Sequence, residues 1–170
     1  ILRERGIDSV QAGTLVGFSM AAQGIGCLLA PSLAVRRPDQ KLVNLTFCVI
    51  VTLAIQAMLF APLWTILMWA ILLGLGQGAL VSLALTAIVL RSSNPLIASQ
   101  LSAQAQFVGY LLASIGALPV GIIRDRTGDF TWCSILFALI GVGVSISGWL
   151  AGRPLFVNAG PVAEPHGVHY

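Results

Sequence analysis

The sequence predicts an all-α integral membrane protein built from five transmembrane helices, and three observations predict it. Charged side chains make up 9% of the 170 residues and hydrophobic ones 57%, whereas an ordinary soluble domain carries about 25% charged residues. Mean hydropathy is +0.92, a value that belongs to membrane proteins. The few charges gather in short clusters, and the runs between them are long. About 20 apolar residues cross a hydrocarbon core of about 30 Å as a helix, and each run meets or exceeds that length.

Residues 1–8, ILRERGID, carry Arg3, Glu4, Arg5 and Asp8 and read as the end of a preceding helix with an interfacial loop. The run 9–35 is charge-free and forms the first span. Gly13 and Gly17 within it make a small-xxx-small pair that lets another helix approach closely, and Pro31 is expected to bend or end the helix. Arg36, Arg37, Pro38, Asp39 and Lys41 form a charged loop. The next charge-free run, 42–90, is too long for one span. Pro62 and Trp64 divide it into spans at 42–60 and 65–90, with the tryptophan suited to a membrane–water interface. A loop at 91–98 contains the turn signal Asn94-Pro95. The fourth span is 99–123, with Pro119 near its far end. The loop at 124–129 balances its charges. The fifth span is 130–152, with Trp132 and Trp149 near its two ends. The tail 153–170 is rich in Pro and Gly, and disorder is expected there.

Several function classes are excluded by composition. The formal charge of +3 is spread too thinly for a nucleic-acid face. Cys27, Cys48 and Cys133 form no CxxC pair and read as small buried hydrophobes. The two histidines, His166 and His169, lie in the tail. No Asp, Glu, Lys, Arg or His stands in the middle of a run, so metal ligation, a resident cofactor and acid–base catalysis all lack their groups. Serines are plentiful but have no partner base. An intramembrane enzyme is therefore not expected, and no metal or cofactor is. Proton relays also rest on intramembrane ionisable groups, so any coupling acid lies elsewhere. The chain opens at Ile1 without a basic, apolar leader. It is expected to be a fragment with its insertion signal upstream.

The amides are the informative polar groups inside the spans: Gln23 in the first, Gln77 in the third, Gln104 and Gln106 in the fourth. An unpaired amide in hydrocarbon costs several kcal/mol, roughly 4–8 on an alkane scale, so each must meet another helix or a watered cavity. Either interhelical bonding or the lining of a substrate path answers that need. Gln106 and Tyr110 share a helix face with Ala113 and Ala117, small and polar, which suits a path. Gly74, Gly76 and Gly78 crowd the third span, either for close helix packing or for bending during gating. Arg91 ends that span as an interfacial anchor or as an attractor for an anion at the mouth of a path.

The residues then carry a family likeness. ERGIDSVQAGTLVG at 4–17, GLGQG followed by SLALTAIVLRS within 74–92, and LSAQAQFVGYLLASIGALPVGIIRDRTGDF at 101–130 resemble the carboxy-terminal half of a major facilitator superfamily permease, in the cyanate and 2-nitroimidazole permease branch. The third stretch is the most specific, with an LSxxAQxxGYLLA pattern and a GxxxDxTG loop. Two departures stand out. The loop 36–41, RRPDQK, keeps a degenerate form of the family's glycine-arginine signature, and Gly116-Ala117 replaces a Gly-Pro, with Pro119 two residues on. The resemblance implies that the five spans are the eighth to twelfth of twelve, with residues 1–5 ending the seventh. It implies that 36–41, 91–98 and the tail are cytoplasmic. The charge count leans the same way, with Arg36, Arg37, Lys41, Arg91 and Arg153 on that side against Arg3, Arg5, Arg124 and Arg126.

The sequence thus leads to half of a secondary transporter in a bacterial inner membrane, moving a small solute such as a small anion or nitro-heterocycle by alternating access. Its partners are the lipid bilayer, the small-molecule substrate and a six-helix amino-terminal half. The substrate path draws on Gln23, Gln77, Gln106 and Tyr110, the cytoplasmic mouth on Arg91, and packing or gating on Gly74, Gly76, Gly78 and Pro119. The alternative is a helical membrane scaffold that binds a partner without transport.

Overall fold

A computed structural model describes residues 6–35, 41–92, 94–128 and 130–151. Residues 1–5, the charged loop at 36–40, and the tail with His166 and His169 lie outside the described residues. Five helices succeed one another: α1 Ser9–Val35, α2 Lys41–Phe60, α3 Ile66–Arg91, α4 Pro95–Thr127 and α5 Thr131–Ala151. All five are long and apolar enough to cross a membrane. One 3₁₀ turn, Leu63–Thr65, joins α2 to α3, and Pro62 precedes it because its fixed φ suits a turn start and it has no N–H to lose.

The largest departure from expectation is α4. Its 33 residues give about 50 Å of helix, more than the full thickness of about 40–45 Å for a bilayer with its head groups. The expected loop at 91–98 is shorter because Asn94-Pro95 starts the helix. The Ile97 N–H donates to Asn94 Oδ1 at 3.0 Å, an N-cap bond, and Pro95 sits at the first helical position, where its missing N–H costs nothing. At the far end, α4 runs past the expected stop and closes at Gly128, whose φ of +66° is the left-handed conformation that ends helices. Neither Pro31 nor Pro119 ends its helix. Neighbouring helices and side chains can re-satisfy the carbonyls that an intramembrane proline frees.

The packing is interleaved. The parallel helices α1 and α3 make the most extensive contact, and α2 packs against both α3 and α5. A Cβ built on Gly74 would stand 2.9 Å from the carbonyl carbon of Ser19, and one on Gly78 2.8 Å from that of Gln23. The two helix backbones therefore touch along this seam. Gly26 answers from α1, where a Cβ would meet the Leu75 carbonyl carbon at 3.0 Å. Gly76 points the other way, to α2, with Val51 Cγ2 at 2.6 Å from such a Cβ. Gly74 and Gly78 lie four residues apart and share a face. Gly76 lies two away and faces opposite. Gly13 and Gly17, in contrast, have nothing within 4 Å of a built Cβ, so the motif read from the sequence makes no contact among these helices. Where α1, α2 and α3 meet, Ala30, Ala79 and Leu83 form a buried cluster covered by Val43 and Phe47.

Candidate functional site

Two places concentrate polar groups inside the bundle. The first is a seam between the antiparallel helices α2 and α5. Asn44, Cys48, Thr52 and Gln56 recur every fourth residue and form one stripe of α2. Gln56 Nε2 donates to the Ser134 carbonyl at 2.9 Å, and the Ser134 hydroxyl donates back to Gln56 Oε1 at 2.6 Å. Asn44 Nδ2 donates to the Gly148 carbonyl at 3.2 Å. Opposite Thr52 and Cys48, Gly141 and Gly148 leave no room for a side chain. A Cβ at Gly141 would lie 3.0 Å from Thr52 Cβ, and one at Gly148 3.1 Å from Cys48 Sγ. Neither Asn44 nor Gln56 is among the candidates read from the sequence. Their signal is the four-residue recurrence 44-48-52-56 set against the seven-residue recurrence Ser134, Gly141, Gly148.

The second place is a groove of about 230 Å³ beside the α1–α3 seam, lined among others by Ser19, Gln23, Met58, Leu73 and Gln77. Gln23 and Gln77, read separately from two spans, share this groove. Parallel packing brings them together: Gly78 sits on the Gln23 carbonyl, so the adjacent residue of α3 enters at the same depth. Gln77 is exposed and Gln23 half-buried, which leaves amide donors and acceptors open to whatever fills the groove. Two amides and a hydroxyl can hold a small polar solute by both donating and accepting hydrogen bonds.

Gln106 and Tyr110 are not part of this groove. They lie on an open face of α4, where Tyr110 is 72% exposed. Among the described residues, Gln106 Nε2 reaches only Ser102 Oγ, one turn back, at 3.4 Å. Gln104 is exposed on the same helix. Arg91 ends α3 and donates from Nη1 to the Ala151 carbonyl, tying the last turn of α3 to the last turn of α5. Cys48 and Cys133 are buried, Cys27 is half-buried, and all three are free thiols. Among the described residues no group of His, Cys, Asp or Glu could hold a metal ion.

Over 158 residues, 92% of its length, the chain is 35% identical to the uncharacterized transporter YycB of Bacillus subtilis, of which the match covers 39%. It is 34% identical over 153 residues to the 2-nitroimidazole transporter of Escherichia coli, covering 90% of the chain and 39% of that protein. It is 28% identical over 143 residues to the cyanate transport protein CynX of Escherichia coli, covering 84% of the chain and 37% of that protein. The chain spans about two-fifths of the length of these relatives. No family profile and no solved structure matches it. Its five apolar helices and these transporter relatives make it an integral membrane protein.

Proposed function

We infer that this chain is the carboxy-terminal helical half of a secondary transporter of the major facilitator superfamily, in the branch of the cyanate and 2-nitroimidazole transporters, and that it moves a small solute by alternating access. The observation that carries this reading is similarity along nine-tenths of the chain to transporters more than twice its length. A length ratio of this kind leaves room for a six-helix amino-terminal half in the whole protein. The transport site then lies between the two halves, as in transporters that rock around a central site.

On this reading the groove with Gln23 and Gln77 and the open face of α4 with Gln106 and Tyr110 look toward the other half. Amide and phenol groups hold the solute by hydrogen bonds, and no covalent bond is made or broken. A wrong solute leaves these groups unpaired, at about 1–3 kcal/mol for each one buried, which supplies selectivity without a fixed charge. A small anion such as cyanate or a nitro-heterocycle fits such a set, since both accept hydrogen bonds. Arg91 stands at the cytoplasmic mouth, the carboxy terminus is cytoplasmic, and the membrane is a bacterial inner membrane. The face distribution of Gly74 and Gly78 against Gly76 supports a packing role for this cluster. A scaffold without transport has no observation in its favour.

The test is uptake by cells expressing the full-length protein, with labelled cyanate, labelled 2-nitroimidazole and a panel of small organic anions. Gln77→Leu, Gln23→Leu and the pair Gln106→Ala with Tyr110→Phe are each expected to impair uptake at unchanged membrane abundance. Normal uptake by all three variants removes this site. Failure of the intact protein to move any solute removes the transport reading.

A further inference from the structure

A larger cavity opens at one end of the α2–α5 seam and shares Asn44, Cys48 and Gly148 with it. It measures about 580 Å³ and lies among α2, α3, α4 and α5, within the range of about 300–1,000 Å³ usual for ligand sites. Its chemistry is graded along the helix axes. At one end stand Arg91, Ser92, Ser147 and Asn44, where α3 and α5 finish and α2 begins. Toward the other end the walls are Leu80, Leu83 and Val144. From residue 91 back to residue 80 the cavity tracks eleven residues of α3, about 16 Å at a rise of about 1.5 Å per residue. One leaflet of a hydrocarbon core of about 30 Å is about 15 Å deep. The cavity is one leaflet deep, polar at the interface and apolar inward.

Among the described residues, no acid neutralises the cation at the polar end. Arg91 gives one N–H to the Ala151 carbonyl. The two acids among the described side chains, Asp8 and Asp125, stand at the start of α1 and near the end of α4. Successive helices reverse direction, so both acids lie at the opposite end of the bundle. A second observation is independent of charge: Asn44 Oδ1 is buried and accepts no hydrogen bond among the described residues. The outer wall is thin. The most apolar window of α4 has no buried residue, and α4 gives the cavity only Leu101 and Ala105. A chain-shaped guest can enter from the bilayer beside α4.

We propose that this cavity takes one acyl chain of an acidic membrane lipid, with the anionic head group on Arg91 and a head-group hydroxyl donating to Asn44 Oδ1. The proposal rests on the membrane-spanning reading alone, and it stands or falls without any transport measurement.

The experiment uses the full-length protein in nanodiscs of equal parts phosphatidylglycerol and phosphatidylcholine, extracted into mild detergent and weighed intact by native mass spectrometry. Retained phosphatidylglycerol is expected to exceed phosphatidylcholine by about tenfold, because both phosphodiesters can accept from Arg91 but only phosphatidylglycerol is net anionic and carries a hydroxyl for the buried, otherwise unmet Asn44 Oδ1. Arg91→Gln is expected to reduce it to the phosphatidylcholine level, and Arg91→Lys to restore most of it. Ala105→Phe, which fills the apolar half, is expected to lower retention of both lipids while Arg91 is intact. Equal retention of the two lipids by the unaltered protein overturns the proposal, and so does an Arg91→Gln variant that keeps its phosphatidylglycerol. Displacement of the lipid by millimolar benzoate, dependent on Arg91, also overturns it by assigning the cavity to a soluble anion.

Discussion

Replacing Gly78 by alanine adds one methyl group where α3 lies against α1. The new Cβ would stand 2.8 Å from the carbonyl carbon of Gln23 and 3.0 Å from the Cys27 nitrogen. Ordinary carbon contacts are about 3.5–4.0 Å, so α1 must retreat by roughly 0.7 Å or more. Both obstacles are backbone, and no rotamer change relieves them. A radial gap of about 0.5–1 Å forfeits a quarter to a half of each dispersion contact along the seam. Overpacking of this kind costs about 1–3 kcal/mol. It is offset by the roughly 0.5–1 kcal/mol that alanine gains over glycine in a helix interior. The net loss expected is about 1–2 kcal/mol, a factor of about 5–30 in the ratio of folded to unfolded protein. At roughly 2–4 °C per kcal/mol for a chain of this size, the unfolding midpoint falls by about 2–8 °C. The control is Gly24→Ala, near the seam on α1, where nothing lies within 4 Å of the added carbon. That variant gains the helix term alone, and its midpoint is expected to hold or rise. Tryptophan fluorescence during thermal unfolding in mild detergent reads both. A Gly78→Ala midpoint equal to the unaltered protein's, or equal to that of Gly24→Ala, refutes the close α1–α3 packing.

The same geometry carries three further expectations. In a double-mutant cycle, Gln56→Leu and Ser134→Ala should couple by about 0.6 kcal/mol and at most about 1.7, the range for interhelical hydrogen bonds in membranes; additive effects in chemical unfolding would deny the bonded pair. Asn94→Ala should destabilise by about 0.5–2 kcal/mol through loss of the cap on α4, whereas Asn94→Asp should restore most of that stability, and equal midpoints for all three proteins would place the helix start elsewhere. In the full-length protein, Gln106→Cys and Tyr110→Cys should react with a water-soluble maleimide, while Cys48 and Cys133, each 2% exposed, should stay unlabelled in the folded state. Labelling of the two native thiols at a comparable rate would contradict their burial.

The number of helices and most of their limits are legible because charge marks where a chain must leave hydrocarbon, and this chain places its charges in tight clusters. Asn94-Pro95 is the exception. The same dipeptide opens turns and caps helices, and the residues after it decide between the two: here an Ile97 amide comes within reach of Asn94 Oδ1. The amides are legible as groups in need of partners, but the partners are not. Gln56 bonds Ser134 across 78 positions of sequence, and no local pattern names a residue so distant. Gln23 and Gln77 look like Gln106 in the sequence. Only the parallel register of α1 and α3 gathers the first two into one groove and leaves the third on an open helix face. Small-xxx-small spacing is equally ambiguous, since it is shared by Gly74–Gly78, which touches α1, and by Gly13–Gly17, which touches nothing among the described residues.

The interleaved pairing also constrains how the bundle is made. Synthesis delivers α1 before α3, so the glycine seam between them waits for α3. The Gln56 amide on α2 waits for Ser134, which emerges only with α5. Between those moments an amide in the bilayer has lost water and has not met its permanent partner, a state that costs several kcal/mol, roughly 4–8 on an alkane scale. Assembly therefore cannot proceed as independent hairpins added one by one. A ribosome that stalls before α5 leaves a product with an orphaned polar stripe along α2. Such a product displays to membrane proteases a chemical mark of incompleteness that the finished protein hides.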